Sequence, residues 1–260
     1  MTAHEFPRIE LDSYDGVVIL TGAGVSVASG IRPYRGPDGL WNDEKLVKYS
    51  RIATFRTDPL GVWRHWWKMR ELALGASPNA AHLALARAEA ARPEGKRFTL
   101  VTQNVDGLHY RAGSLSLVEY HGSCMRSRCS DPGCSLRPFQ DRQCSGDTAP
   151  SCPLCGAPLR PDIVLFGEQI PRAQAGAVDK ALDSCDLFIA VGTSGTVWPA
   201  AKFVDAAHGL GARTIYLNLQ GLGELGGSGA FDEEYLGRAE ILLPLMLGPE
   251  GASGDGEPLP

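Results

Sequence analysis

Short apolar runs, separated by polar and helical stretches, recur along the chain. The five runs are residues 16–22, 98–104, 186–192, 213–219 and 240–246. Runs that are apolar almost without interruption predict strands buried on both faces of a sheet. Between two of them, residues 78–92 predict a helix with Ser77 as its N-cap and Pro78 in its first turn. Alternating strands and helices predict an α/β fold with a doubly wound, Rossmann-like parallel sheet.

Two segments depart from this alternation. Residues 31–75 contain four of the five tryptophans and predict a loop followed by a helix that Asp58 and Pro59 begin. Residues 122–162 contain most of the cysteines and show little periodicity. We expect these segments to form a small domain with a zinc module. The larger domain, which contains the parallel sheet, would then comprise residues 1–30, 76–121 and 163–247, followed by a disordered tail at 248–260.

Composition excludes several classes of protein. The 260 residues carry a net charge of −5, which argues against direct nucleic-acid binding through a basic face. No apolar run approaches the roughly 20 residues that a membrane helix needs, and the first ten residues do not resemble a signal peptide. We therefore expect a cytoplasmic protein without a membrane partner.

The cysteines indicate a local metal site. Six of the seven lie between residues 124 and 155, where Cys129-x4-Cys134 and Cys152-x2-Cys155 form two pairs of thiolates. Four thiolates in two pairs are typical of one structural zinc ion. Cys144 competes with Cys134 as the second ligand, and a redox role for the cysteines is the alternative to metal binding.

A glycine-rich turn follows the first predicted strand. Gly22, Gly24 and Gly30 are typical of a turn that binds phosphate at a helix N-terminus. The dehydrogenase pattern GxGxxG requires a third glycine at position 27, where this chain has Val27. This difference argues against hydride transfer, and a purely structural turn is the alternative to phosphate binding.

Polar side chains follow the second predicted strand. Gln103, Asn104 and Asp106 would lie at the carboxyl edge of the sheet, where open α/β sheets bind ligands. Their amide and carboxylate groups suit a ribose or a carboxamide, although Asp106-Gly107 could also form a simple turn. His121 lies between the two predicted domains, where it is a candidate general base or a structural imidazole.

Together these residues resemble the sirtuins, the family of NAD-dependent protein lysine deacylases. The resemblance covers residues 16–247 and rests on blocks in the family's order, namely GAGVSVASGIRPYRGPDGLW (22–41), TQNVDGLH (102–109), His121-Gly122, the two cysteine pairs, LRPDIVLFGE (159–168) and GTSGTVWPA (192–200). Pro33-Tyr34 departs from the Thr-Phe that usually precedes Arg35. Gln220 stands where the family often has glutamate.

The resemblance implies NAD as cofactor, one structural zinc, and acyl-lysine proteins or peptides as partners. His121 and Asn104 would be catalytic. The cofactor-binding residues would be Gly22, Ala23, Gly24, Pro33, Tyr34, Arg35, Trp41, Gln103, Asn104, Val105, Asp106, Gly192, Thr193, Ser194, Asn218, Leu219, Gln220 and Ala239. The substrate backbone would pair with the segment containing Val164, Phe166, Gly167 and Glu168. The implied reaction displaces nicotinamide by the acyl oxygen, after which His121 deprotonates a ribose hydroxyl.

The acyl preference depends on one helical pair. Sirtuins that act on acidic acyl chains carry Tyr-x-x-Arg, and the matching pair here is taken as Trp67 and Arg70. Arg70 is therefore expected to bind the carboxylate of succinyl- or malonyl-lysine, the alternative being a core tryptophan and a solvated arginine. For the whole protein, the alternatives are a mono-ADP-ribosyltransferase or NAD hydrolase, and a non-enzymatic module that senses NAD or ADP-ribose.

Overall fold

The computed structural model describes residues 6–33, 39, 43–194, 202–223 and 231–248. Its strands are β1 (Gly16–Thr21), β2 (Arg97–Thr102), β3 (Leu117–Glu119), β4 (Gly122–Cys129), β5 (Phe139–Gln140), β6 (Leu159–Ile163), β7 (Leu187–Val191), β8 (Arg213–Asn218) and β9 (Glu233–Leu236). Its helices are α1 (Glu44–Tyr49), α2 (Ile52–Thr57), α3 (Pro59–Gly75), α4 (Ala80–Ala90), α5 (Leu108–Arg111), α6 (Arg172–Leu182), α7 (Phe203–Gly209) and α8 (Ala239–Leu247).

Six strands form one parallel sheet in the order β3-β2-β1-β7-β8-β9. All six residues of β1 and all five of β7 are buried, because helices cover both faces of the sheet. Leu85 of α4 and Met246 of α8 pack on one face. Val178 of α6 and Val204 of α7 pack on the other. The prediction of a doubly wound parallel sheet is confirmed.

The strand order indicates where on the sheet a ligand would bind. From β1 the chain crosses first to β2 on one side and later to β7 on the other. Such a reversal leaves a crevice at the carboxyl ends of the strands, where open α/β sheets bind their ligands. The segments that follow β1, β2 and β7 therefore meet at one site.

A second, antiparallel sheet has the order β5-β4-β6. Helix α3 packs against β4 and β6. As the sequence predicts, this helix begins with Asp58, whose carboxylate accepts a hydrogen bond from the Gly61 amide at 2.8 Å, and with Pro59 in the first turn. The exact bounds of the two domains stay a prediction, and residues 249–260 of the expected tail lie outside the described residues.

The apolar run 240–246 is the one predicted strand that is wrong, since it forms α8. Leu242, Leu243 and Met246 are buried, and α8 packs against α4. Their spacing is that of a helix with one buried side. A continuous apolar run of this length does not separate a helix from a strand by pattern. The predicted helix 78–92 is also shorter than expected: it begins at Ala80, with Asn79 rather than Ser77 as its N-cap. Within the described residues, no helix combines the length and the apolarity needed to cross a membrane.

Candidate nucleotide site and metal centre

A cavity of about 1380 Å³ opens at the carboxyl edge of the parallel sheet. Ordinary small-molecule pockets measure roughly 300–1,000 Å³, so this one has room for a dinucleotide and part of a second ligand. Most of the predicted site residues line it: Gly22, Ala23, Gly24, Pro33, Gln103, Asn104, Val105, His121, Val164, Phe166, Gly167, Glu168, Gly192, Thr193, Ser194, Asn218, Leu219, Gln220 and Ala239. Tyr34, Arg35 and Trp41 lie outside the described residues.

Two glycines allow the loops after β1 and β7 to touch. The Gly24 amide donates to the Gly192 carbonyl oxygen at 2.9 Å. A Cβ atom on Gly24 would lie 2.7 Å from the Gly192 Cα, and Gly192 has a φ of +60°, which favours glycine. The residues after β1 form a 3₁₀ helix, Ala23–Ser29, rather than the α-helix that usually follows a phosphate-binding turn.

Asn104 is held in place from two sides. Its Nδ2 donates to the Gly22 carbonyl oxygen at 3.0 Å and to Ser26 Oγ at 3.2 Å. Ser26 Oγ in turn donates to Asp106 Oδ2 at 2.7 Å, and the Leu108 amide donates to Asp106 Oδ1. Burial raises the pKa of the Asp106 carboxyl, against the lowering effect of these two hydrogen bonds. Asp106 is not among the residues that line the cavity, and it is connected to Asn104 through Ser26. Its contact with the cofactor stays a prediction.

Gln103 and His121 connect the ends of β2 and β3. His121 Nδ1 lies 3.0 Å from the Gln103 carbonyl oxygen. A carbonyl can only accept, so Nδ1 carries the proton and Nε2 is left with its lone pair. Burial lowers the pKa of His121 from its usual 6.5, and the hydrogen bond to Gln103 only partly offsets this. The imidazole is thus neutral at pH 7 and has a basic nitrogen.

Two side chains of β8 hold the segment after β7 by hydrogen bonds. Tyr216 Oη donates to the Thr193 carbonyl oxygen at 2.8 Å, and Asn218 Nδ2 donates to the same oxygen at 3.2 Å. Asn218 Nδ2 also donates to Tyr216 Oη at 2.7 Å. The backbone of this loop is therefore fixed, while the exposed side chain of Leu219 lies beside it on the cavity wall.

The segment 164–168 has most of its amide hydrogens already bonded. The Val164 amide donates to the His121 carbonyl oxygen at 2.9 Å, and the Phe166 amide donates to the Ser50 carbonyl oxygen at 2.8 Å. Glu168 forms a two-pronged ion pair with Arg160 at 2.6 Å for each contact. Substrate pairing with this segment would therefore use groups other than these amides.

The expectation that Trp67 and Arg70 face an acyl chain is wrong. Arg70 is 1% exposed and its guanidinium is fully engaged. It donates to the carbonyl oxygens of Cys124 and Gln143 at 2.7 and 2.9 Å and forms an ion pair with Asp141 at 2.8 Å. Trp67 is 2% exposed and packs with Trp63 among the cysteines of the small sheet. Neither residue lines the cavity.

The sequence reasoning missed the neighbouring face of the same helix. His65, Trp66 and Met69 line the cavity. Trp66 and Met69 are also three residues apart, so the spacing rule that selected Trp67 and Arg70 fits them equally well. The two pairs differ in the helix face on which they lie, and tertiary packing determines which face meets the cavity.

Four cysteines converge at the far end of the small sheet. The sulfur atoms of Cys129, Cys134, Cys152 and Cys155 all lie within 4.8 Å of one another. Cys129 and Cys155 are 3.5 Å apart, and Cys134 and Cys152 are 3.7 Å apart. Tetrahedral zinc with bonds of about 2.3 Å places its sulfurs about 3.8 Å apart, so the cluster fits one structural zinc ion.

The second ligand is Cys134 and not Cys144. Cys144 lies outside the cluster, with its thiol donating to the Arg142 carbonyl oxygen at 3.4 Å. Burial acts to raise the pKa of Cys152, but hydrogen bonds with the amides of Leu154 and Cys155 and with the thiols of Cys134 and Cys155 together lower that pKa to about 7. A thiol that ionises this readily is suited to binding metal. Cys124 is buried in β4, away from the cluster.

Comparison with known proteins identifies relatives along most of the chain. Residues 22–199 match the Sir2 family. An NAD-dependent protein deacylase of Vibrio parahaemolyticus is 38% identical over 238 residues, which is 90% of this chain and 94% of that protein. A Sir2 homologue–NAD complex matches with a TM-score of 0.81 at 32% identity, covering 94% of this chain and 95% of the other. A Sir2 variant with a deacetylated p53 peptide and 3′-O-acetyl ADP-ribose matches with a TM-score of 0.76 at 27% identity, covering 94% and 96%.

Proposed function

This chain belongs to the Sir2 family and is an NAD-dependent protein deacylase, and we propose that His121 and Asn104 carry its chemistry. The observation behind this proposal is a neutral, oriented imidazole that lies in the same cavity as a doubly anchored asparagine. A general base needs a free lone pair and a pKa near or below the working pH. His121 meets both conditions.

NAD is the cofactor, and the loops after β1, β2 and β7 would hold it. When bound, it supplies an ADP-ribosyl group as the acyl acceptor and nicotinamide as the leaving group. Gly24 and Gly192 have no side chains, so the close contact between them leaves the neighbouring cavity open for this ligand. Gln103 Nε2 donates to Thr193 Oγ1 at 3.0 Å, which joins the loops after β2 and β7 on either side of β1. We assign the cofactor contacts to these loops.

His121 would accept a proton at Nε2. Its Nδ1 hydrogen is used on the Gln103 carbonyl, which fixes the tautomer and the orientation of the ring. The backbone of His121 is fixed as well, because its carbonyl oxygen accepts from the Val164 amide. The imidazole therefore does not need to reorganise before it takes the proton from a hydroxyl group.

Asn104 would orient the ligand. Both hydrogens of its Nδ2 are used on Gly22 and Ser26, and this leaves the side-chain oxygen as the group directed to a ligand. Asp106 acts through Ser26 as a positioning residue. An asparagine held in this way binds a donor without losing side-chain entropy at the moment of reaction.

The substrate would be an acyl-lysine in a protein or peptide. The similar Sir2 structure with a deacetylated p53 peptide supports this class of substrate. A cytoplasmic location and the lack of direct nucleic-acid binding remain predictions.

The test is mass spectrometry of acyl-lysine peptides incubated with the protein, with and without NAD. We expect deacylation only with NAD, and loss of deacylation in His121→Asn. His208→Asn is the matched control, because His208 is half exposed on α7 and does not line the cavity. Equal activity of the two variants would refute the role of His121. Nicotinamide release without any acyl-peptide would instead favour an NAD hydrolase or an ADP-ribosyltransferase.

A further inference from the structure

One buried threonine at the end of β1 is bonded to both ends of the loop that follows β2. This loop comprises residues 103–107, and its Gln103 and Asn104 line the cavity. At its start, the Gln103 amide donates to the Thr21 carbonyl oxygen at 2.9 Å. Just beyond its end, His109 Nε2 is hydrogen-bonded to Thr21 Oγ1 at 2.9 Å. Thr21 therefore closes the loop although it does not itself line the cavity.

The end of the loop depends on helix α5, which has only one turn. Four residues are too few for a stable helix, because the first turn fixes several residues for a single hydrogen bond. Contacts with the rest of the protein must therefore hold α5. Leu108 is fully buried, and Arg111 Nη1 donates to the Ala73 carbonyl oxygen at 2.9 Å. Within the described residues, His109 Nδ1 has no hydrogen-bond partner, so the bond to Thr21 is the only one that this ring forms.

His82 of α4 packs against the ring of His109. The two ring centroids are 4.7 Å apart and the rings are inclined by 55°. His82 is itself held, because its Nδ1 accepts from the Asn79 amide at 3.3 Å in a capping box at the start of α4. Burial lowers the pKa of both imidazoles, that of His82 to about 4, so both are neutral at pH 7. His109 is thus held between His82 on one side and Thr21 on the other.

The start of α4 also holds the segment that follows β1. Asn79 Nδ2 donates to the Val25 carbonyl oxygen and to Ser29 Oγ, both at 2.9 Å. One turn of α4 therefore contacts the 3₁₀ helix after β1 through Asn79 and helix α5 through His82. None of these polar side chains lines the cavity. They form a buried support for two of the segments that do.

The loop that Thr21 closes also orients the proposed base. The Gln103 carbonyl oxygen lies 3.0 Å from His121 Nδ1, and Asn104 Nδ2 donates to the Gly22 carbonyl oxygen at 3.0 Å. A shift of this loop would move the acceptor that sets the tautomer of His121, and it would also move Asn104. The hydrogen bond between Thr21 and His109 therefore bears on both proposed catalytic side chains without touching either.

From these contacts we propose that Thr21 and His109 are positioning residues for deacylation, whose hydrogen bond keeps the loop after β2 in the conformation that orients His121 and Asn104. This inference rests on the proposed function. Neither residue touches the reacting atoms or the peptide. Loss of their hydrogen bond should therefore lower the rate of the chemical step more than it weakens binding of the acyl-peptide.

The test removes the hydroxyl group of Thr21 and measures kcat and KM for an acetyl-lysine peptide by mass spectrometry, with NAD saturating for each variant. In Thr21→Val, which leaves the His109 ring without its hydrogen bond, kcat should fall about tenfold and KM for the peptide should stay within about twofold. Thr21→Ser keeps the hydroxyl group and should stay within about threefold of the parent kcat. An unchanged kcat in Thr21→Val would overturn the inference. Absence of turnover by the parent would instead refute the proposed function.

Thr214→Val is the matched control. Thr214 is fully buried on β8 of the same sheet, its Oγ1 donates to Asp232 Oδ2 at 2.9 Å, and it does not line the cavity. The substitution removes a comparable hydrogen bond far along the strand order from β2. Both substitutions should lower the temperature of unfolding, and only Thr21→Val should lower kcat. An equal loss of kcat in both would reveal general destabilisation and would also overturn the inference.

Changes at His109 decide independently if Thr21→Val does not fold. His109→Gln retains a side-chain amide that can bond to Thr21 and should keep kcat within about threefold, whereas His109→Leu should lower kcat about tenfold. In the double variant Thr21→Val/His109→Leu, kcat should fall no further than in either single variant, because both substitutions remove the same bond. Fully additive losses, or equal rates for His109→Gln and His109→Leu, would contradict the positioning role.

Discussion

Replacement of Arg70 by methionine tests whether this arginine is a structural element of the small sheet. Methionine keeps much of the apolar stem but removes the guanidinium. The substitution leaves Asp141 without its cation and removes the donors to the carbonyl oxygens of Cys124 and Gln143. Unfolding should therefore become easier, and the selectivity between acyl groups should stay as it was.

The magnitude follows from the burial of this ion pair. Removing one partner of a buried pair costs about 3–5 kcal/mol. The Asp141 side chain is 15% exposed, so water recovers part of its lost interaction and the lower end of that range applies. For a protein of this size about 3 kcal/mol corresponds to a fall in Tm of about 6–12 °C.

The assay is thermal unfolding by circular dichroism, together with mass spectrometry on acetyl- and succinyl-lysine peptides. Arg64→Met is the matched control, because Arg64 is exposed on the same helix. It should leave Tm within about 2 °C of the parent, as surface substitutions usually do. If Arg70→Met unfolded like the parent, or lost activity on succinyl-lysine alone, the structural role of Arg70 would be refuted.

Three further outcomes are expected. Because burial lowers the pKa of His121 below 6.5, the single-turnover rate should stay flat from about pH 8 to 6.5. It should fall only at lower pH, where Nε2 is protonated. A fall that begins above pH 7 would argue against His121 as the base. Elemental analysis should find one zinc per chain, lost in Cys134→Ser and kept in Cys144→Ser. Gly192→Ala would place a Cβ 2.6 Å from the Val25 amide nitrogen, and should raise KM for NAD about tenfold or more in steady-state assays.

Local sequence patterns predict the structure correctly where a single interaction determines it. The strands β1, β2, β7 and β8 are buried on both faces, so their apolar runs predict them directly. Asp58-Pro59 begins α3 because a cap and a first-turn proline act over a few residues. Four thiolates in two pairs predict a zinc site because the metal itself requires them.

The predictions fail where packing against distant parts of the chain determines the local structure. The run at 240–246 becomes α8 because α4 offers it a surface to pack on, which no local pattern encodes. Trp67 and Arg70 share one face of α3, and Trp66 and Met69 share the neighbouring face. Which side meets the cavity depends on where the small sheet lies. Asp106 does not line the cavity, and two hydrogen bonds through Ser26 connect it to Asn104, an arrangement that spacing along the chain cannot show.

Gln103 connects the loop after β7 to His121 through hydrogen bonds. Its side chain is bonded to Thr193 on the loop after β7, and its main-chain carbonyl is bonded to the imidazole of His121. Its own amide donates to the Thr21 carbonyl oxygen at the end of β1. A movement of the loop after β7 could therefore displace His121 through Gln103 alone, without a change in the hydrogen bonds between the strands. The loop proposed to bind the nucleotide and the proposed base are therefore joined by the hydrogen bonds of one glutamine.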